Sequence, residues 1–314
     1  KASFIHLRYL KFIDWLLIAN ITAIVLYGVV AIANATATSF TGDEQSIGDF
    51  LSKLNLGYVA LQLVWFGVGF LAMCVMMAPD YHNICEYTTW IYWLNVALLA
   101  VLLLFGDKVN GAIAWFRMGD RGFQPAELAK IAIIITLAKM IAGKTRDREG
   151  ITRYRDILPV VGAFALPFAL IMLQPDWGTA FVYVAIFFGM LFVARASFKI
   201  IATIFGAGLV LIPASWFIMT DYQKARITSF FNPAPDPYGQ VSQAKVAIGS
   251  GQFAGKGFFS AGTLGKLGFV AEDHTDFIFS VTIEPVGFIG GVLLLLLYFT
   301  LIFRMLYLAV KAKD

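Results

Sequence analysis

Residues 277–309 read FIFSVTIEPVGFIGGVLLLLLYFTLIFRMLYLA, and this run decides the fold class. Its charged residues are Glu284 and Arg304. A hydrocarbon core of about 30 Å is crossed by about 20 apolar helical residues. The run is longer than that, with Pro285 inside it. The chain around it has the same character: of 314 residues, 59% are hydrophobic and 14% charged, against about 25% charged in a typical soluble domain. There is too little polar surface to coat a water-soluble ball, so lipid must solvate most of the chain. A disordered chain, a disulfide-rich secreted domain and an ordinary soluble enzyme are thereby excluded. Cys74 and Cys85 are too few for a disulfide framework. With the three histidines scattered, no structural zinc site is expected.

Seven further runs suit spanning helices, at about 12–33, 57–77, 90–105, 126–142, 157–173, 178–194 and 199–219. The expected fold is all-α, a polytopic transmembrane helical protein of about eight spans, with 1–314 as a single membrane domain. Lys and Arg set the orientation. Lys1, Arg8 and Lys11 precede the first span; Lys144, Arg146, Arg148, Arg153 and Arg155 follow the fourth. Arg195 and Lys199 follow the sixth, and Arg304, Lys311 and Lys313 close the chain. Eight spans place all four groups on one side, which is therefore cytoplasmic, with both chain ends. The acidic first loop, with Asp43, Glu44 and Asp49, falls outside. The segment 78–86 falls inside although it is acidic.

Residues 220–276 form a long outer loop, and loops of this length are usually functional or disordered. This one is expected to be structured. Val241, Ala244 and Ile248 make an apolar stripe at helical spacing, which predicts a short interfacial helix over 240–248. Seven glycines in 249–268 predict tight turns and close backbone approach. Gly251-Gln252-Phe253-Ala254-Gly255-Lys256-Gly257 has the look of a phosphate-binding loop but fails as one. Ser250 stands where the first glycine belongs, and Gly257 follows Lys256 where Ser or Thr is required. Lys245 and Lys256 remain candidate phosphate contacts.

Spans four, six and eight all start at the outer face, and each start carries an acid: Glu127, Asp176 and Asp276. Singly, each suits a helix start through capping and the helix dipole. Together they are harder to dismiss, because ionisable groups at membrane depth usually face a polar cavity. Glu127 and Lys130 share one helix face. Helix N-termini attract phosphate, so such a cavity suits an anionic lipid head group. His274 and Asp276 suggest an acid–base pair, which requires His274 still to be in the loop. Trp115 precedes span four, where an aromatic is usually a membrane anchor.

Phe123-Gln124-Pro125-Ala126-Glu127-Leu128-Ala129-Lys130 resembles the Phe-Gln-Pro-Ser-Glu-x-x-Lys motif of the SEDS family (shape, elongation, division and sporulation). Gln174-Pro175-Asp176-Trp177-Gly178-Thr179 is similar to its Gln-Pro-Asp-Leu-Gly-Thr. Ala247-Ile248-Gly249-Ser250-Gly251, with Gly255-Lys256-Gly257, resembles its outer-loop signature. His274-Thr275-Asp276-Phe277-Ile278-Phe279 is similar to its most diagnostic run. Asn232-Pro233, Asp236-Pro237 and Gln243-Ala244-Lys245 lean towards the rod-shape branch over the division branch. In departure from the family pattern, Glu284-Pro285 replaces a Glu-Glu pair, Ala271-Glu272 replaces Pro-Glu, and Ala114 stands where an arginine often precedes the tryptophan. The family's ten spans imply two more beyond Asp314, ending in a Ser-Tyr-Gly-Gly motif.

The resemblance implies a peptidoglycan glycosyltransferase in the bacterial cytoplasmic membrane, polymerising lipid II at its outer face during elongation. It implies as partners lipid II, the nascent glycan strand, a class B penicillin-binding transpeptidase and other membrane proteins of the elongation complex, and no nucleic acid. The family's essential aspartate falls on Asp276 and its sensitive tryptophan on Trp115, while Glu127, Lys130 and Asp176 match cavity residues. Asp276 is the expected general base and a metal ligand its competing role. Lys130, Lys245, Lys256, helix N-termini or a divalent cation (Mg or Mn) are the candidate sources of positive charge for the leaving diphosphate. No metal ligands are assigned and no organic cofactor is expected. The competing classes are a lipid II flippase and a non-catalytic scaffold.

Overall fold

The computed structural model describes residues 13–37, 52–77, 81–109, 112–118, 121–145, 150–217, 219, 224, 225, 228, 239–260 and 262–312. Lys1, Arg8, Lys11, Asp43, Glu44, Asp49, Arg146, Arg148, Lys313 and the Asn232-Pro233 and Asp236-Pro237 pairs lie outside them. Two compact units share the chain: residues 79–233, and residues 1–78 with 234–314.

The 79–233 unit holds α3 (Tyr81–Glu86), α4 (Thr88–Phe105), β1 (Asp107–Val109), β2 (Ala112–Met118), β3 (Arg121–Phe123), α5 (Pro125–Thr145), α6 (Tyr154–Leu173), α7 (Trp177–Val193) and α8 (Phe198–Trp216). Its core runs along α5, where Ala126, Ala129, Ile133 and Leu137 are buried at three- and four-residue steps. Phe187 of α7 stacks on Phe164 of α6 with ring centroids 4.3 Å apart. Gln174, fully buried at the end of α6, donates through Nε2 to the Leu99 carbonyl of α4 (2.8 Å), and its own carbonyl accepts from Ile113 N–H of β2 (3.0 Å). One residue, through its side chain and its backbone carbonyl, thereby ties two helices to the strands.

The stretch before α5 forms a small antiparallel sheet. The antiparallel order is β1-β2-β3, with Lys108 opposite Ile113 and Arg117 opposite Gly122. Gly106 permits the tight passage from α4 into β1, since a Cβ there would lie 2.5 Å from the Leu102 carbonyl oxygen.

The other unit holds α1 (Trp15–Thr36), α2 (Leu56–Met77), α9 (Gln240–Ser250) and α10 (Ile278–Lys311). Asp14 caps α1 through the Leu17 N–H (3.0 Å) and pairs with Arg304 near the end of α10 (2.7 Å). At the opposite end of α1, the buried Asn34 accepts from the Phe259 N–H (2.7 Å). Tyr27 donates to the Gly290 carbonyl of α10 (3.2 Å), which with the Asp14–Arg304 pair makes α1 and α10 antiparallel neighbours. α2 buries no residue, which water would penalise and lipid does not, because lipid tails are as apolar as leucine. The short helix expected over 240–248 forms as α9, but its buried stripe is Ala244 and Ala247. Val241 points outward, a correction to the Val241, Ala244 and Ile248 stripe. Small residues are buried because the backbone approaches α10 closely: a Cβ on Gly251 would meet the Ile283 carbonyl oxygen at 2.6 Å.

α10 is broken at Pro285 and Gly287. Proline removes one ladder N–H, and Gly287 has φ +68°, a conformation that favours glycine. Open backbone groups at membrane depth are tolerated only where protein re-satisfies them. Residues 252–257 do so. The Glu284 and Pro285 carbonyls accept from the Lys256 and Gly257 N–H groups, both at 3.0 Å. The Phe288 and Ile289 N–H groups, which would have bonded those two carbonyls in an unbroken helix, donate to Gln252 (3.0 Å) and Phe253 (3.3 Å). The glycine stretch is thus spliced into the helix.

Helices occupy all eight places expected for spans. Among the described residues α1, α2, α4, α6 and α10 are long and apolar enough to cross a membrane, with α7 and part of α8 as shorter apolar helices. α5 has the length but carries Glu127, Lys130, Lys139 and Lys144.

Candidate active site

In the 79–233 unit, Trp115 lies on β2 opposite Asp107 of β1, with its ring beside Gly122 of β3. A Cβ on Gly122 would come within 2.7 Å of the Trp115 ring, so glycine makes room for that side chain. β3 runs into Gln124 and α5. Gln124 Nε2 donates to Asp176 Oδ2 (3.1 Å), and Asp176 caps α7 by accepting from Thr179 N–H (3.1 Å) and Thr179 Oγ1 (2.7 Å). Both Asp176 oxygens are thus occupied. Glu127 and Lys130 pair at 2.8 Å, with the glutamate largely exposed and the lysine half-buried. Tyr183 of α7 is fully buried, its hydroxyl beside Asn95 and within electrostatic reach of Glu127. The sequence motif held Gln124 without a role for it, and Asn95 and Tyr183 were not singled out; polar groups inside apolar runs were the available signal for those two.

In the other unit, Asp276 immediately precedes α10. It is exposed and makes no hydrogen bond or ion pair with the described residues. His274 lies in the loop, as an acid–base role requires, but its Nδ1 pairs with Asp273 Oδ1 at 2.9 Å. Its ring meets Tyr58 of α2 edge-on, with centroids 5.2 Å apart. Lys245 is exposed on α9. Lys256 is drawn towards a group that spacing did not single out: Glu284, completely buried at the α10 break. Glu284 Oε1 accepts from Lys256 Nζ (2.7 Å), Ser250 Oγ (2.9 Å) and Leu264 N–H (2.8 Å), and Oε2 accepts from Gly265 N–H (3.3 Å). Lys266 adds another ammonium, 5.4 Å from the Phe259 ring centroid. Burial, and then the charge of Lys53, draw its pKa below the ordinary lysine value.

Among the described residues, no three His, Cys, Asp or Glu side chains gather to hold a metal ion. The chemistry available at these positions is that of one open carboxylate, an oriented imidazole and several ammonium groups.

Fold and site together define a multi-pass helical membrane protein with polar groups at the starts of its spans. Residues 14–314 match the model of the FtsW/RodA/SpoVE family, described as cell cycle protein, and the chain belongs to that family. It is 34% identical to the probable peptidoglycan glycosyltransferase FtsW of Thiomicrospira cyclica, over 96% of this chain and 75% of the relative. It is 32% identical to the peptidoglycan glycosyltransferase MrdB of Escherichia coli K12, over 96% and 77%. Stage V sporulation protein E of Bacillus subtilis matches at 34%, over 96% and 80%. Identity of this size to differently named relatives does not separate the rod-shape branch from the division branch. Among solved structures, one described as a peptidoglycan synthase complex coordinating polymerization and crosslinking matches with TM-score 0.70 and 27% identity, over 96% of this chain and 79% of that one. The rod shape determining protein RodA of Thermus thermophilus matches with TM-score 0.63 and 26% identity, over 96% and 76%.

Proposed function

We propose that this chain polymerises lipid II into glycan strands at the outer face of the bacterial cytoplasmic membrane, with Asp276 as general base. Its relatives over most of its length are peptidoglycan glycosyltransferases, and the chain is an enzyme of that class. The GlcNAc 4-hydroxyl of one chain attacks C1 of the MurNAc of another. The C1–O bond to the α-linked diphosphate breaks as a β-1,4 bond forms, so the transfer inverts. The hydroxyl proton passes to the Asp276 carboxylate, and undecaprenyl diphosphate leaves with the bonding electrons. The transition state is oxocarbenium-like. The diphosphate needs positive charge and no proton donor; Lys130, Lys245, Lys256 and helix N-termini supply it. Trp115, Glu127, Asp176 and His274 complete the substrate-binding set.

The observation that supports this reading is the state of the acids. Asp176 is consumed in capping, Glu127 in pairing with Lys130, Asp273 with His274 and Glu284 with four donors. Of the acids at the three outer span starts, Asp276 alone is open to take a proton. No step runs through a metal ion; a divalent cation held by Asp276 would supply positive charge instead, and EDTA in the same assay tests for it. Residues 1–314 act as one membrane domain with both ends cytoplasmic, and a class B penicillin-binding transpeptidase crosslinks the product.

The deciding experiment gives purified protein lipid II in detergent. Asp276→Asn is expected to lower polymer formation about 10²–10⁴-fold while leaving transpeptidase binding intact. A normal polymer yield from Asp276→Asn overturns the assignment. No polymer from the wild type in detergent, where no second leaflet exists, favours a flippase or scaffold instead.

A further inference from the structure

Glu284 is a carboxylate at membrane depth, closed off from water, and the proton transfer above does not use it. We propose that Glu284 is a positioning residue for glycosyl transfer, acting on Asp276 through the segment 256–265 that it grips. The inference rests on the reading of Asp276 as the base.

Glu284 lies eight residues after Asp276, and about 9 Å along the axis from the first residue of α10. Its two oxygens hold the Leu264 and Gly265 backbone N–H groups together with Lys256 and Ser250. Gly265 is pressed so close to α10 that a Cβ would lie 2.5 Å from Val281 Cγ1. The Leu264 carbonyl then accepts from Phe269 N–H (3.0 Å). Leu264, Phe269 and Val270 pack with Phe277, Ile278 and Val281, the residues that follow Asp276. The chain of contact therefore runs from the carboxylate to the loop, and from the loop to the base.

Stability alone does not call for an ionised group here. Buried ion pairs are often no better than well-packed apolar residues, and charge is costly at membrane depth. Four converging donors do call for one. An ionised carboxylate offers two oxygens with about four lone-pair sites, whereas an amide offers one oxygen and turns an NH2 on the remaining donors. Glutamine keeps the shape of Glu284 and loses its hold on Gly265 or Lys256.

The test uses the full protein in detergent with lipid II, and reads turnover per molecule of bound lipid II. Glu284→Gln is expected to lower that turnover about 10- to 100-fold, the scale for a displacement of about 1 Å. KM and the stoichiometry of lipid II binding should stay within about twofold. Wild-type turnover in Glu284→Gln overturns the proposal. So does a loss that merely follows reduced binding stoichiometry, because that is a structural role. Where Glu284→Gln does not fold, Ser250→Ala decides, since it removes one donor and keeps the ion pair. Turnover lowered about two- to fivefold at constant KM supports the proposal, and wild-type turnover overturns it. Asp276→Asn in the same assay separates the two readings. If it polymerises normally, the base assignment fails; if it is inactive while Glu284→Gln is normal, only the positioning role falls.

Discussion

Asp176 and Asp276 have the same residue type and the same place at a span start, yet opposite states. Thr179 and Gln124 close around Asp176, and no described group closes around Asp276. Asp176→Ala is expected to cost about 1 kcal/mol through the lost cap, read as a lower thermal midpoint in detergent. Lys256→Met should cost more, about 3–5 kcal/mol, because it strands a buried carboxylate. The third of the Lys256 side chain that water reaches favours the lower end of that range. The positions of the acids were legible in the sequence, since charge is scarce in this chain. Their engagement was not, because the partners of Glu284 lie 19 to 34 residues away and two of them are backbone N–H groups that no residue type announces.

At the scale of elements, two features depend on single glycines. α10 survives its break at Pro285 because residues 252–257 bond both sides of the gap. Gly287→Ala would place a Cβ 2.2 Å from Gly255 N at φ +68°. It is expected to cost about 2 kcal/mol or more, seen as a lower thermal midpoint and reduced yield of folded protein. The strands before α5 depend on Gly122 in the same way. Gly122→Val should displace the Trp115 ring and raise KM for lipid II with little change in the unfolding midpoint. Apolar run length announced every long helix. It announced neither three-residue strand, because so short a segment carries no periodicity, and the glycine pattern foretold close approach without saying to what.

For the whole molecule, the Asp14–Arg304 pair places the start of α1 and the last turns of α10 at one end of their unit. That agrees with an even number of crossings between them. A fluorescent reporter fused after Asp314 should therefore fold and shine from the cytoplasm; a reporter active only outside would reverse the orientation. Composition and run length alone determined that this is a multi-pass helical membrane protein, because lipid accepts only long apolar helices with their backbone bonds made internally. The motifs, read in order, determined the family. Only the tertiary structure decided which carboxylates are occupied and which is open, and that the glycine stretch is the splice of a broken helix. Hydrogen bonds and ion pairs join groups far apart in the chain, and their geometry exists only once the helices have packed.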